Sequence, residues 1–97
     1  MATYIALSNF TEQGVRTVKD TTRRADAVKE AAKKFGANMT QVYWTLGQYD
    51  LVAVIDAPND ETATAFSLAI SAAGNIRMQT LRAFAKDEMN GILAKLA

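Results

Sequence analysis

The chain has 97 residues, 49% of them hydrophobic and 22% charged, with 11 basic against 10 acidic side chains and a net charge of +1. That length suits one domain around one core, and the balanced charge offers no general field to attract nucleic acid or an anionic membrane. Cys and His are both absent, which excludes disulfides, thiolate catalysis, Cys- or His-ligated metal and any triad built on an imidazole.

The acids are scattered without calcium-loop spacing, so no metal site is expected. The start, Met1-Ala2-Thr3-Tyr4, shows no basic segment followed by an apolar one. No run approaches the roughly 18 apolar residues of a membrane span, so a cytoplasmic protein is expected.

Residues 3–10 alternate as a strand does, with Ile5 and Leu7 on one face and Tyr4, Ala6 and Ser8 on the other. Over residues 11–35, Val15, Val18, Thr22, Ala25, Val28, Ala32 and Phe35 recur at helical spacing. Gly14 and Asp20-Thr21-Thr22 weaken that pattern and predict a kink or a break, and Gly36 ends it. The segment holds Arg16, Lys19, Arg23, Arg24, Lys29, Lys33 and Lys34. Acids three or four residues away make this face read as solvated rather than as an anion-binding surface.

Residues 39–46 and 49–57 are two β-rich runs separated by Gly47-Gln48, which predicts a tight hairpin with Trp44 opposite Leu51 and Tyr43 opposite Val52. Val42, Trp44, Leu46, Leu51, Ala53 and Ile55 then share a face expected to lie under helices. Gln41, Tyr43, Thr45, Asp50, Val52 and Val54 share a mixed one. Pro58 stops the strand, and Asn59 or Asp60 caps a helix over residues 60–73 that ends at Gly74-Asn75. No charge occurs between Thr62 and Ile76, so the outer side of this helix calls for cover from the C-terminal helix or from another subunit. Residues 76–85 read as a last strand, with Arg77 and Arg82 on opposite faces. Residues 87–96 read as a short terminal helix carrying Met89, Ile92, Leu93 and Leu96.

This order predicts an α+β, ferredoxin-like β-α-β-β-α-β sandwich with a C-terminal helix, one domain over residues 1–97. The first and third strands fall at the centre of the sheet. Helices cover one sheet face only. The other, read as carrying Tyr4, Ala6, Tyr43, Val52 and Val54, is apolar enough to call for a second copy, giving a dimeric α/β barrel or a higher homo-oligomer.

The run from Tyr43 to Asp50, with Gly47-Gln48-Tyr49-Asp50 at its heart, followed by Ala57-Pro58-Asn59-Asp60, Gly74-Asn75-Ile76-Arg77 and Thr80-Leu81-Arg82-Ala83-Phe84, resembles the GYD domain family over nearly the whole chain. The resemblance implies the dimeric α/β barrel and no established general activity. A looser likeness links the hairpin to the ligand-binding domain of Lrp/AsnC-type regulators, although the DNA-binding helices of those proteins are lacking.

Three functions are weighed on the residues. The first is a homo-oligomeric binding or interaction module holding a small polar ligand at the subunit interface. There Asp50 offers acceptors, Arg77 and Arg82 offer donors, and Tyr43, Trp44 and Tyr49 offer stacking surfaces, with Gly47 a structural turn residue. Trp44 reads as core, and Tyr49-Asp50 serves either the turn or the site. The alternative is a cofactor-free isomerase or oxygenase using the barrel cavity, with Asp50 as base and Tyr43 or Arg82 steadying an oxyanion. RNA binding, suggested by the element order, is disfavoured because the strand after Tyr49 lacks an aromatic platform. No cofactor is expected.

Overall fold

A computed structural model describes residues 1–96. Four strands, β1 (Ala2–Phe10), β2 (Asn38–Trp44), β3 (Leu51–Ala57) and β4 (Ile76–Ala83), form one sheet in the order β2-β3-β1-β4, antiparallel throughout. Four helices, α1 (Glu12–Arg16), α2 (Thr21–Lys34), α3 (Asp60–Ala72) and α4 (Lys86–Leu93), complete an α+β fold of ferredoxin-like order. The central strands are β1 and β3, as the crossover argument requires.

The first helical segment breaks where its pattern is weakest. A single 3₁₀ turn, Val18–Asp20, separates α1 from α2. The break is braced by the Arg24 guanidinium, which donates to the Thr17 carbonyl at 2.8 Å, the Thr17 hydroxyl at 2.7 Å and the Gly14 carbonyl at 3.1 Å. Gly14 itself is buried against the backbone of Asn75. For α3 the cap is Asn59, whose side-chain oxygen accepts from the Thr62 amide at 2.8 Å. The chain leaves this helix through Gly74 at φ +88°, a conformation that costs a side-chain-bearing residue about 1 kcal/mol or more.

Pairing corrects the assignment of faces on β1. Tyr4 stands opposite Ile55 and Ala6 opposite Ala53, so both lie on the helix-covered side, where they are buried with Ala57, Met39, Ala63 and Phe66. Phe35 meets Phe66 edge to face at 5.8 Å. The uncovered face instead receives Ile5 and Leu7, opposite Val54 and Val52. Alternation separates the two sets of β1 residues. Only pairing with β3 decides which set faces the helices.

The hairpin keeps its expected register, Trp44 with Leu51 and Tyr43 with Val52. The strands nevertheless end earlier than the sequence suggests, and the last link is the Thr45 amide donating to the Asp50 carbonyl at 2.8 Å. Leu46, expected under a helix, is fully exposed, and Trp44, expected in the core, is 43% exposed with its indole N–H bonded to the Thr21 hydroxyl at 3.0 Å. Both sit on the edge hairpin, where Trp44 reaches the first residue of α2 and Leu46 lies in solvent. A register shift between Met39 and Gln41 lets Met39 face the core while Gln41 stays opposite Val54.

The outer side of α3 is open in the single chain, with Leu68 at 66% exposure. Met89, Leu93 and Leu96 of the C-terminal segment are exposed as well. No described helix is long and apolar enough to cross a membrane.

Candidate functional site

Two of the sequence-derived site residues converge on the uncovered face, at the hairpin end of the sheet. Arg77 stands opposite Asn9 across the β1–β4 pair, and Gln79 opposite Leu7. The Tyr49 hydroxyl reaches the side-chain oxygen of Gln79 at 3.4 Å. Together Leu7, Asn9, Phe10, Tyr49, Arg77, Met78 and Gln79 line a cavity of about 340 Å³. Arg77 is exposed and forms no ion pair among the described residues, which leaves its guanidinium free for a carboxylate or phosphate.

Asp50 lies just behind this cavity with its carboxylate committed to the scaffold. Oδ2 accepts the Phe10 amide at 2.9 Å, and the Asp50 amide donates to the Ser8 carbonyl at 2.9 Å. The residue therefore ties the start of β3 to the end of β1. Thr45 adds a bond from its hydroxyl to the Tyr49 carbonyl at 2.5 Å. Gly47, at φ +122°, supplies the backbone conformation that lets the hairpin turn.

Tyr43 and Arg82 do not join this group. Tyr43 is 56% exposed on the edge strand β2, opposite Val52. Arg82 stands opposite Tyr4 on the helix side, at the far end of β4, so the two arginines do occupy opposite faces. Its guanidinium lies 4.5 Å from the Phe84 ring centroid and 5.7 Å from that of Tyr4, and bonds Glu88 at 3.0 Å. Glu88 also accepts the Ala85 amide at 3.0 Å. That amide bond, followed by Arg82, holds the Glu88 carboxyl below its ordinary value. At the same end the Tyr4 phenol donates to Asp60 at 2.5 Å. This bond, with burial and the negative charge of Asp60, pushes the Tyr4 hydroxyl above its usual range. Arg82, Glu88, Tyr4 and Asp60 thus form a paired polar cluster that fastens the start of α4 and the N-terminus of α3.

Asn9 and Gln79 line the cavity as well, and sequence reasoning missed them. Gln79 was reachable, since it alternates with Arg77 and Leu81 along one strand. Asn9 comes beside Arg77 only through the β1–β4 register. Among the described residues no group of three or more acidic side chains is placed to hold a metal ion.

The fold and its hairpin have counterparts. The GYD domain family model matches residues 4–93. This chain belongs to the GYD domain family. It is similar to the glutamine synthetase and cystathionine beta-lyase binding protein of Thermus thermophilus, 33% identical over 84 residues, which are 86% of this chain and 88% of that protein. It is also similar to the crystal structure of TTHA0845 from Thermus thermophilus, with a TM-score of 0.57 and 25% identity, covering 88% of this chain and 95% of that one. In this GYD domain the Gly47-Gln48-Tyr49-Asp50 run has divided roles. Gly47 turns the hairpin, the Asp50 carboxylate ties it to the end of β1, and the Tyr49 hydroxyl faces the cavity.

Proposed function

We propose that this GYD domain is a homodimeric interaction module, two copies meeting through their uncovered sheet faces to close an α/β barrel and present a composite surface to a protein partner. The observation that carries this reading is the strip formed by Ile5, Leu7, Val52, Val54 and Leu81, five apolar side chains on one sheet face that none of the described helices covers. A sheet face of that character is stable when another apolar layer excludes water from it. The Thermus relative is named as a binding protein for two enzymes, which supports a role in binding other proteins, and glutamine synthetase is the partner to try first.

The cavity at Tyr49, Arg77, Asn9 and Gln79 opens on the same face and would lie inside the barrel. It suits a small polar anion held by Arg77 at the subunit interface, within reach of the hairpin. Binding is favoured over catalysis because the Asp50 carboxylate, the base that a cofactor-free reaction would use, is already occupied by the Phe10 amide.

Sedimentation equilibrium tests the assembly. The native chain is expected at the dimer mass at tens of micromolar, and Val54→Asp, which puts a charge in the centre of the strip, is expected at the monomer mass with its circular dichroism retained. A native protein that sediments as a monomer sinks the barrel. A dimer that ignores purified glutamine synthetase in the same experiment removes that partner and leaves the assembly standing.

A further inference from the structure

The helix-covered layer is not closed either. Between α2 and α3, over the middle of the sheet, lies a second cavity of about 340 Å³, open to solvent. Its origin is visible in the sequence. Ala6 faces Ala53 across the two central strands, and α2 turns Ala27 and Ala31 toward the same space. Small side chains on both layers leave volume that the neighbouring residues do not reach. The remaining walls are mainly apolar, among them Val28, Leu51, Ile70 and Met78.

The few polar groups on the wall are informative. Ser8 is only 4% exposed and lines the cavity, and its hydroxyl makes no hydrogen bond to another described residue. No fully sealed side-chain polar atom lacks a partner among the described residues, so this hydroxyl opens on the cavity itself. A hydroxyl in an apolar recess costs stability unless water or a guest supplies the bond. Among the described residues Arg24 is the one charged side chain on the wall, and no acid lines it. The guanidinium is held in place by neutral acceptors, the Thr17 and Gly14 oxygens, and forms no ion pair among the described residues. Arg24 lies in the first turn of α2, where the positive end of the helix dipole adds to its field.

We propose that this cavity binds an apolar monocarboxylate, its hydrocarbon body among the alanines and Met78, its carboxylate toward Arg24 and the Ser8 hydroxyl. An apolar recess with one fixed positive charge and a few neutral polar groups, those of Ser8, Thr21 and Asn75, is the complement of such an amphiphile, and the volume falls within the roughly 300–1,000 Å³ of small-molecule sites. The cavity opens on the helix-covered side of the sheet and shares Phe10 and Met78 with the cavity at Arg77 on the other side.

The methionines make the test specific. Met39 lines this cavity alone and Met78 lines both it and the cavity at Arg77, whereas Met1 and Met89 line neither. With ¹³C-methyl methionine in the native chain, titration with octanoate is expected to shift Met39 and Met78 saturably and to leave Met1 and Met89 in place. Octanol, which keeps the chain and lacks the charge, is expected to bind about tenfold more weakly. Arg24→Gln should bring octanoate to the level of octanol. Ala31→Leu, which fills the cavity, should abolish the shifts while circular dichroism is kept, and it decides the matter if Arg24→Gln fails to fold. The proposal is overturned if millimolar octanoate leaves Met39 unmoved or moves Met78 alone, if every methionine shifts alike, or if the folded Ala31→Leu protein responds as the native one does. Shifts of Met39 that follow protein concentration rather than octanoate would overturn it too, assigning the groove to a second copy of the chain.

Discussion

Gly14→Ala tests whether the joint between the first helix and the loop after α3 is as close as the backbone geometry requires. A methyl group built at Gly14 would stand 2.0 Å from the Asn75 carbonyl oxygen, against an ordinary carbon–oxygen contact of about 3.3 Å. One backbone must therefore retreat by more than an ångström. That same oxygen accepts the Thr11 amide at 3.1 Å, and beside it the Thr11 hydroxyl donates to the Gly74 carbonyl at 2.6 Å. Relieving the clash thus loosens the latch between the ends of β1 and β4. Overpacking costs about 1–3 kcal/mol, and the strained hydrogen bond adds about 1 kcal/mol. The better helix propensity of alanine returns about 1 kcal/mol. A net loss of about 2 kcal/mol corresponds, for a domain of this size, to a fall in Tm of roughly 10 °C. Thermal melting followed by circular dichroism reads this directly. Gly91→Ala is the control, because nothing stands within 4 Å of the added methyl group there. If Gly14→Ala melts at or above the native temperature while Gly91→Ala does the same, propensity outweighs packing at Gly14 and the close joint is refuted.

Two further outcomes follow from the hairpin and from the polar cluster at the start of α4. Gly47→Val meets open space, so its cost is conformational alone, about 1–2 kcal/mol; chemical denaturation should show a lower midpoint at an unchanged slope, and an unchanged midpoint would mean that the turn accepts a side chain at φ +122°. The folded Glu88 carboxyl is held below the ordinary 4.5, so its stabilisation is fully present above about that pH and disappears as pH falls through the lower folded value. The difference in melting temperature between the native chain and Glu88→Gln is therefore expected to shrink on acidification below 4.5, and a difference independent of pH would show that the carboxylate does not fasten the helix.

Much of the fold was legible because the signals are local. Strand alternation, the Pro58-Asn59 stop and cap, the weak point near Asp20 and the glycines after α2 and α3 each act within a few residues, and each predicted feature is found. Errors arose where one element depends on another. Trp44 and Leu46 lie on an apolar stripe, yet the stripe outruns the helix meant to cover it. Tyr4 and Ala6 alternate correctly with Ile5 and Leu7, yet it is the second pair that occupies the open face.

The candidate site divides in the same way. Tyr49 and Arg77 could be nominated as side-chain types, and the geometry brings them together with Asn9 and Gln79. Arg82 carries the same chemistry but is drawn into the Glu88 and Tyr4 cluster at the opposite end of β4. Asp50 is a plausible ligand residue by type and a backbone anchor by position, since its nearest donor is the amide of Phe10, forty residues earlier in the chain.

By itself, the sequence determined the element order, the hairpin register and the family, because periodicity, turn chemistry and motif spacing are properties of contiguous residues. The tertiary structure alone decided which face of β1 is covered, which charged side chains are spent on the scaffold, and where small residues from separate elements meet to leave a cavity. Those outcomes depend on pairings between residues far apart in the chain, and a period of two carries no information about which side of the sheet the helices will choose.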